Sequence, residues 1–207
     1  MTSSPFLTDP RIMAQHMQEM ESWDDCCWDL VQRSTPLDTY TQTGESLFDA
    51  YWRALIFDTD SEHRGTRASP ELKDAYQHWA STFGTSNEIA KLSAEQPKGT
   101  DTQQKLLGLN MRLLVQAKRG LPFETAFQSY TAGRKFCTTK KGYIGWTSLA
   151  ARLGDVVCYF EGNPLPFVIR RCEMQGYRLV GDCYLHGLMR GPGEQGVGLR
   201  SKKIVLF

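Results

Sequence analysis

Met13, Met17, Met20, Trp23, Cys27, Leu30 and Val31 recur at steps of three and four, with polar residues filling most of the gaps. That spacing predicts an amphipathic helix of roughly six turns at 3.6 residues per turn. Asp9 and Pro10 offer a capping side chain and a first-turn proline, and Ser34-Thr35-Pro36 ends the pattern. A second helix is expected from about Gly44 to Phe57, with Leu47, Phe48, Tyr51, Trp52, Leu55 and Ile56 as its apolar face. Ser69-Pro70-Glu71 opens a third, whose stripe is Leu72, Tyr76, Trp79 and Phe83, with Gly84 as its C-terminal cap. Residues 85 to 104 are mostly polar and read as loop, with at most a helical turn near Ile89. A fourth helix runs from about Gln103 to Lys118, with Leu106, Leu107, Asn110, Leu113 and Leu114 on one side. Gly120 ends it, and Pro122 to Tyr130 forms one further short helix.

The pattern changes near Gly133. Beyond it, short apolar runs are punctuated by Gly142, Gly145, Gly154, Gly162, Gly176, Gly181 and Gly187, which reads as a meandering sheet or barrel. The expected strands are Lys135–Thr138, Tyr143–Trp146, Val156–Phe160, Phe167–Arg171, Tyr177–Cys183 with its continuation, and Lys203–Leu206. Helices first and strands afterwards make an α+β chain. The expectation is a helical region over 1–130 packed on a small antiparallel β-barrel over 131–207, as one compact unit.

The composition narrows the function. Of 207 residues 41% are hydrophobic, enough for a real core. With 24 Lys plus Arg against 23 Asp plus Glu, the net charge of +1 gives no electrostatic case for nucleic acid or an anionic membrane. No run approaches the ~18 apolar residues of a membrane span, and MTSSPFLTDPR has no basic region followed by an apolar one, so it is no secretory signal. Cys26, Cys27, Cys137, Cys158, Cys172 and Cys183 show no CxxC and no zinc spacing, and read as reduced thiols of a cytoplasmic protein. Asp24-Asp25-Cys26-Cys27 is a poor chelate, because neighbours on a helix point in different directions. Asp58-Thr59-Asp60-Ser61-Glu62 imitates a calcium loop, but His63 stands where glycine is needed and Ser69 where the bidentate glutamate is needed. No metal and no cofactor are expected.

Gly133-Arg134-Lys135-Phe136 with Thr139 to Gly145 resembles a segment of the fungal heterokaryon-incompatibility proteins. So do Gly154-Asp155-Val156-Val157 with Gly162 to Arg170, and Tyr177 to Met189. Together these blocks resemble that family's C-terminal β-barrel, and Tyr51-Trp52-Arg53-Ala54-Leu55-Ile56 is similar to the helical stretch before it. The resemblance covers roughly residues 45 to 207. It implies the barrel region without the family's large N-terminal incompatibility domain, and a fungal intracellular protein. It assigns no catalytic residue.

The candidate chemistry lies on the last long strand. In a strand alternate side chains share a face, which puts Asp182, Tyr184 and His186 together, with Cys183 and Leu185 opposite. Such a face is a site, a polar outer face or, for His186, a buried core position. Asp182 is two strand steps from His186, roughly 13 Å, too far to orient it, whereas Tyr184 reaches either neighbour. A catalytic pair would take a partner from another strand, such as Tyr143, Tyr159 or Arg170, with Arg170 able to hold a carboxylate at the barrel mouth. Gly191-Pro192-Gly193-Glu194-Gln195-Gly196 fits GxGxxG but opens no helix of a βαβ unit, and reads as a loop. Asp155 reads as a turn acid.

Two functions follow. The first is a cofactor-free acid–base cyclase or isomerase of fungal secondary metabolism. It would hold a small apolar or polycyclic molecule and use His186, Tyr184 and Asp182 as catalytic groups and Arg170, Tyr143 and Tyr159 as binding groups. The second is a non-catalytic incompatibility-type module with a protein partner.

Overall fold

The structure, a computed structural model, describes residues 10–60, 66–94, 99–172, 176–189 and 202–207, with side chains from Gln15 onward. The glycine-rich 191–196 segment and part of the calcium-like loop lie outside the described residues. Four helices precede five strands among the described residues: α1 (Pro10–Ser34), α2 (Leu47–Leu55), α3 (Glu71–Ala94), α4 (Thr100–Thr131), β1 (Arg134–Thr138), β2 (Ile144–Ser148), β3 (Val156–Tyr159), β4 (Pro166–Arg171) and β5 (Tyr177–Leu185). The mixed α+β order of the sequence is thus present. No described helix is long and apolar enough to cross a membrane.

The chain forms two compact units, one from Met1–Asp29 and Ala68–Ala126, the other from Leu30–Arg67 and Phe127–Phe207. In the first, Tyr76, Trp79, Phe83 and Phe123 form an aromatic cluster with centroids 4.8–5.2 Å apart along the Trp79–Phe83, Tyr76–Phe123 and Trp79–Phe123 contacts. Two glycines there do other work than the sequence suggests. Gly84 lies inside α3, which continues to Ala94, with Thr82 and Phe83 buried before it and Thr85 after it. Gly120 does not end α4, which runs on to Thr131 with Pro122 inside it. A Cβ on Gly120 would lie 2.8 Å from the Cα and N of Trp79, so α4 crosses α3 where only a hydrogen fits. Gly120→Ala is therefore expected to lower stability by about 1–3 kcal/mol through overpacking, outweighing the ~1 kcal/mol that alanine contributes to an open helix. A thermal melt no lower than wild type would refute this.

The second unit holds the sheet, in the order β1-β2-β5-β4-β3. All pairings are antiparallel. The barrel expectation is corrected: among the described residues β1 and β3 remain edges, so the sheet is open. The central strand is β5. Its Tyr177–Asp182 half pairs with β4, and Cys183–Leu185 pairs with β2. Between them Val180 bulges, since Val168 faces Gly181 and Ile169 faces Leu179, and Gly181 takes φ 156°. The bulge bends β5 so that its two halves pair with two different hairpins, and no pairing among the described residues joins β1 to β3. The expected last strand is reduced to a parallel bridge of Leu206 with Tyr177. One face buries Ala151, Val168, Cys183, Leu185 and Leu188, with Tyr143, Cys137 and Val157 against them. The six cysteines are unpaired. Burial pushes the Cys183 thiol up to about 12, so it stays protonated. α2 packs on β2, where the Trp146 indole N–H donates to the Ala54 carbonyl at 2.9 Å.

Candidate functional site

The end of α2 begins the site. The Phe57 N–H donates to the Ala54 carbonyl at 3.3 Å, and the Asp58 N–H to the Arg53 carbonyl at 2.7 Å. This is the Schellman pattern, with Phe57 at the left-handed position that glycine usually fills. Phe57 has φ 60° and Asp58 φ 47°, a cost of roughly 1–2 kcal/mol each without compensation. The compensation is visible. The Phe57 ring stacks on Tyr184 at 4.5 Å and on Tyr130 at 5.6 Å. Asp58 takes Arg53 Nη1 at 2.8 Å on one oxygen and Arg67 Nε at 2.7 Å on the other.

A short hairpin ahead of α2 supplies the second element. Thr39 bridges Ser46, and the Tyr40 N–H donates to the Glu45 carbonyl at 2.8 Å. Gly44, at φ 78°, makes the turn. The Tyr40 hydroxyl donates to the His186 carbonyl at 2.9 Å and accepts from the Ile144 N–H at 3.2 Å. These two bonds dock the hairpin onto the ends of β2 and β5, and they set Glu45 beside His186.

The result is a line of three groups. The Tyr184 hydroxyl lies 2.8 Å from His186 Nδ1, and His186 Nε2 lies 2.7 Å from Glu45 Oε1. A carboxylate only accepts, so Nε2 carries a hydrogen and donates to Glu45, while Nδ1 and the Tyr184 hydroxyl share the second bond. Burial, with the negative charge of Asp58 next, holds the Tyr184 phenol far above its ordinary range, so it remains protonated. Burial pushes the Glu45 carboxyl up, but hydrogen bonds from His186 and Thr43 and the charges of His186 and Arg67 outweigh it, so it titrates below the usual range. Thr43 donates to Oε1 at 2.6 Å, while Arg67 at 3.2 Å and Arg53 at 3.4 Å reach Oε2. Both carboxylate oxygens and both ring nitrogens are thereby occupied.

The structure brings Tyr184 and His186 together, 3% and 2% exposed. Asp182 is exposed on the strand and pairs with Arg134 at 2.6 Å. Arg134 also lies 5.5 Å from the centre of the Phe57 ring. Arg170 is held by Asp155 through two contacts of 2.8 Å and by the Ala150 carbonyl at 2.8 Å. The Tyr159 hydroxyl donates to the Leu188 carbonyl at 2.6 Å, and Tyr143 packs against the apolar face of the sheet. Sequence reasoning missed Glu45, Arg53, Asp58 and Arg67. The available signal was Arg53, a cation in a helix otherwise almost wholly apolar. No group of histidine, cysteine and acidic residues among the described residues is placed to hold a metal.

Tyr184→Phe keeps the stack on Phe57 and removes the hydroxyl bonded to Nδ1. It is expected to cost about 1–2 kcal/mol, the penalty of one buried ring nitrogen left unsatisfied. A urea titration with an unchanged midpoint would refute a stabilising Tyr184–His186 bond.

A model of the Het-6 beta-barrel domain matches residues 15–198. No curated protein and no solved structure matches the chain. The match takes in both the helices and the bent sheet that carries Tyr184 and His186, and the chain belongs to the Het-6 beta-barrel domain family.

Proposed function

We propose that this chain is a non-catalytic module of the heterokaryon-incompatibility type, working in the cytoplasm by recognising another polypeptide. The observation that carries this reading is the closure of the polar cluster on itself. A general acid or base must reach the substrate at about 2.6–3.2 Å. His186, 2% exposed, instead has Tyr184 on one nitrogen and Glu45 on the other. The cluster ties the hairpin, the end of α2 and β5 together, which is the work of a structural core. It fixes the outer surface for a partner and needs neither metal nor cofactor.

One observation favours a second reading. Phenol, imidazole and carboxylate in line form a path along which a proton can move. That arrangement suits an acid–base cyclase or isomerase of fungal secondary metabolism acting on an apolar or polycyclic molecule. Asp182, Arg170, Tyr143 and Tyr159 would then be its remaining catalytic and binding groups. The two readings separate by native mass spectrometry of the intact protein from a fungal host, beside crosslinking in the same cells. The module reading expects a crosslinked polypeptide and no co-purified small molecule. A stoichiometric small molecule that His186→Ala releases without lowering the melting temperature overturns it.

A further inference from the structure

Among the described residues the sheet has one parallel contact. Its named strands all pair antiparallel, but Leu206 bridges Tyr177 in parallel. The Tyr177 N–H donates to the Val205 carbonyl at 2.8 Å, and the Phe207 N–H donates to the Tyr177 carbonyl at 2.9 Å. The Phe207 ring lies over Gly176, where a Cβ would fall inside the ring and 2.9 Å from the Val205 carbonyl oxygen. The missing side chain of Gly176 therefore makes the seat for an aromatic one. The seated segment is thinly held. Val205, Leu206 and Phe207 are 59%, 45% and 60% exposed, so it buries little apolar surface. Parallel pairing is also slightly weaker per residue than antiparallel pairing.

The edge of β5 continues past this segment. Along a strand, backbone groups turn to one edge at every second residue, so Leu179 presents its N–H and carbonyl on the same side as Tyr177. Pairing with β2 begins only at Cys183, and among the described residues no backbone group bonds Leu179 on that side. An open row of backbone donors and acceptors is matched by another extended chain. Competition decides which chain. Val205–Phe207 belong to the same molecule and act at high effective concentration. The same residues of a second copy would make only the same bonds and gain nothing. A strand that runs on past the place of Phe207 gains more. Its residue at that place would accept from the Leu179 N–H, and the second residue beyond would donate to the Leu179 carbonyl. The Leu179 side chain, 47% exposed, lies alongside.

We propose that the edge of β5 from Gly176 to Leu179 receives an extended segment of a partner polypeptide as a parallel strand, with a bulky apolar side chain over Gly176. Val205–Phe207 occupy that edge as an internal stand-in, which the partner displaces. The proposal rests on the module reading and supplies the partner's chemistry.

The test uses the full chain and a labelled synthetic peptide that copies Lys203 to Phe207 and continues with threonine and valine. One control peptide stops at the phenylalanine. Another carries N-methylphenylalanine in its place, which removes the donor to the Tyr177 carbonyl. Phe207→Ala loosens the internal segment, so this variant is expected to bind the long peptide about tenfold more tightly than wild type does. On that variant the short peptide should bind about fivefold more weakly, and the N-methyl peptide about tenfold more weakly, than the long one. Hydrogen exchange at the Leu179 amide should slow when the long peptide binds. Gly176→Val should abolish binding. No binding to Phe207→Ala, or equal binding of the long and N-methyl peptides, overturns the proposal. So does a dimer that Gly176→Val abolishes, which would make a second copy the occupant. The N-methyl comparison leaves Gly176 unaltered, so it decides the matter even where Gly176→Val fails to fold. A polypeptide crosslinked in cells by wild type and folded Gly176→Val alike overturns only the β5 edge. Failure of the wild type to capture any polypeptide overturns the module reading itself.

Discussion

Gly145→Ala is expected to be the most damaging single-atom change in the chain. Gly145 lies in β2 opposite Leu185, with both residues buried. A Cβ there would fall deep inside the carbonyl oxygen of Tyr184 and 2.9 Å from the Leu185 Cα. Backbone cannot rotate away as a flexible side chain can, so β2 and β5 must separate. That takes with it the Trp146–Tyr184 register and the docking of Tyr40 between Ile144 and His186. The cost is of the order of 3 kcal/mol or more, at the severe end for overpacking. For a chain of this length that is a fall in Tm of roughly 6–12 °C. Gly108→Ala is the control: it sits on α4 with open space around its missing Cβ. It should leave Tm unchanged or raise it, since alanine favours helix. A Gly145→Ala melt within about 2 °C of wild type would show that the strands tolerate the atom.

Glu45→Ala is expected to come second. It leaves the His186 Nε2–H without an acceptor and removes the carboxylate that Arg53 and Arg67 share. Removing one partner of a buried pair costs about 3–5 kcal/mol, and the 16% exposure of the Glu45 side chain puts the loss near the lower figure. The acid dependence has a definite sign. The folded carboxyl titrates below its unfolded value, so the folded chain binds fewer protons than the unfolded one across the carboxylate range. The stabilisation is complete above the unfolded value of about 4.3. It disappears as pH falls through the lowered folded value. Glu45→Gln should therefore lose less stability than wild type between about pH 5 and pH 3. Some acid sensitivity should persist in the variant, because the hydrogen bond from Arg170 holds the Asp155 carboxyl below its usual range as well. Parallel stability curves for wild type and Glu45→Gln across that interval would remove Glu45 from the account.

Periodicity made much of this fold legible. The stripe from Met17 to Val31 and the apolar face of α2 repeat at helical steps, and the strands after Gly133 are bounded by turn glycines. What periodicity misreads is glycine used for closeness. Gly84 and Gly120 look like helix stops, yet Gly120 is there because the Trp79 backbone passes within reach of its Cα. The reverse misreading occurs at Phe57, which holds a left-handed helix end that no glycine announces. Closure of the sheet is illegible for another reason: strand runs mark where strands lie, whereas openness depends on which strands pair, and β1 and β3 share no pairing among the described residues. In the site, Tyr184 and His186 could be read because they share a strand. Glu45 could not, because it lies 141 residues from His186 and looks like an ordinary acid before a helix.

The sharing of β5 between two hairpins also sets an order of events during synthesis. β1–β2 and β3–β4 leave the ribosome before β5 exists, each able to form as an isolated hairpin of only marginal stability. Until Tyr177 to Leu185 emerges, β2 and β4 each expose an unpaired edge, the kind that joins to neighbouring chains. The Tyr40 hairpin and Glu45 wait over the same interval, made early and without a docking surface. Completion of one late strand therefore converts the nascent second unit from two sticky halves into a folded body.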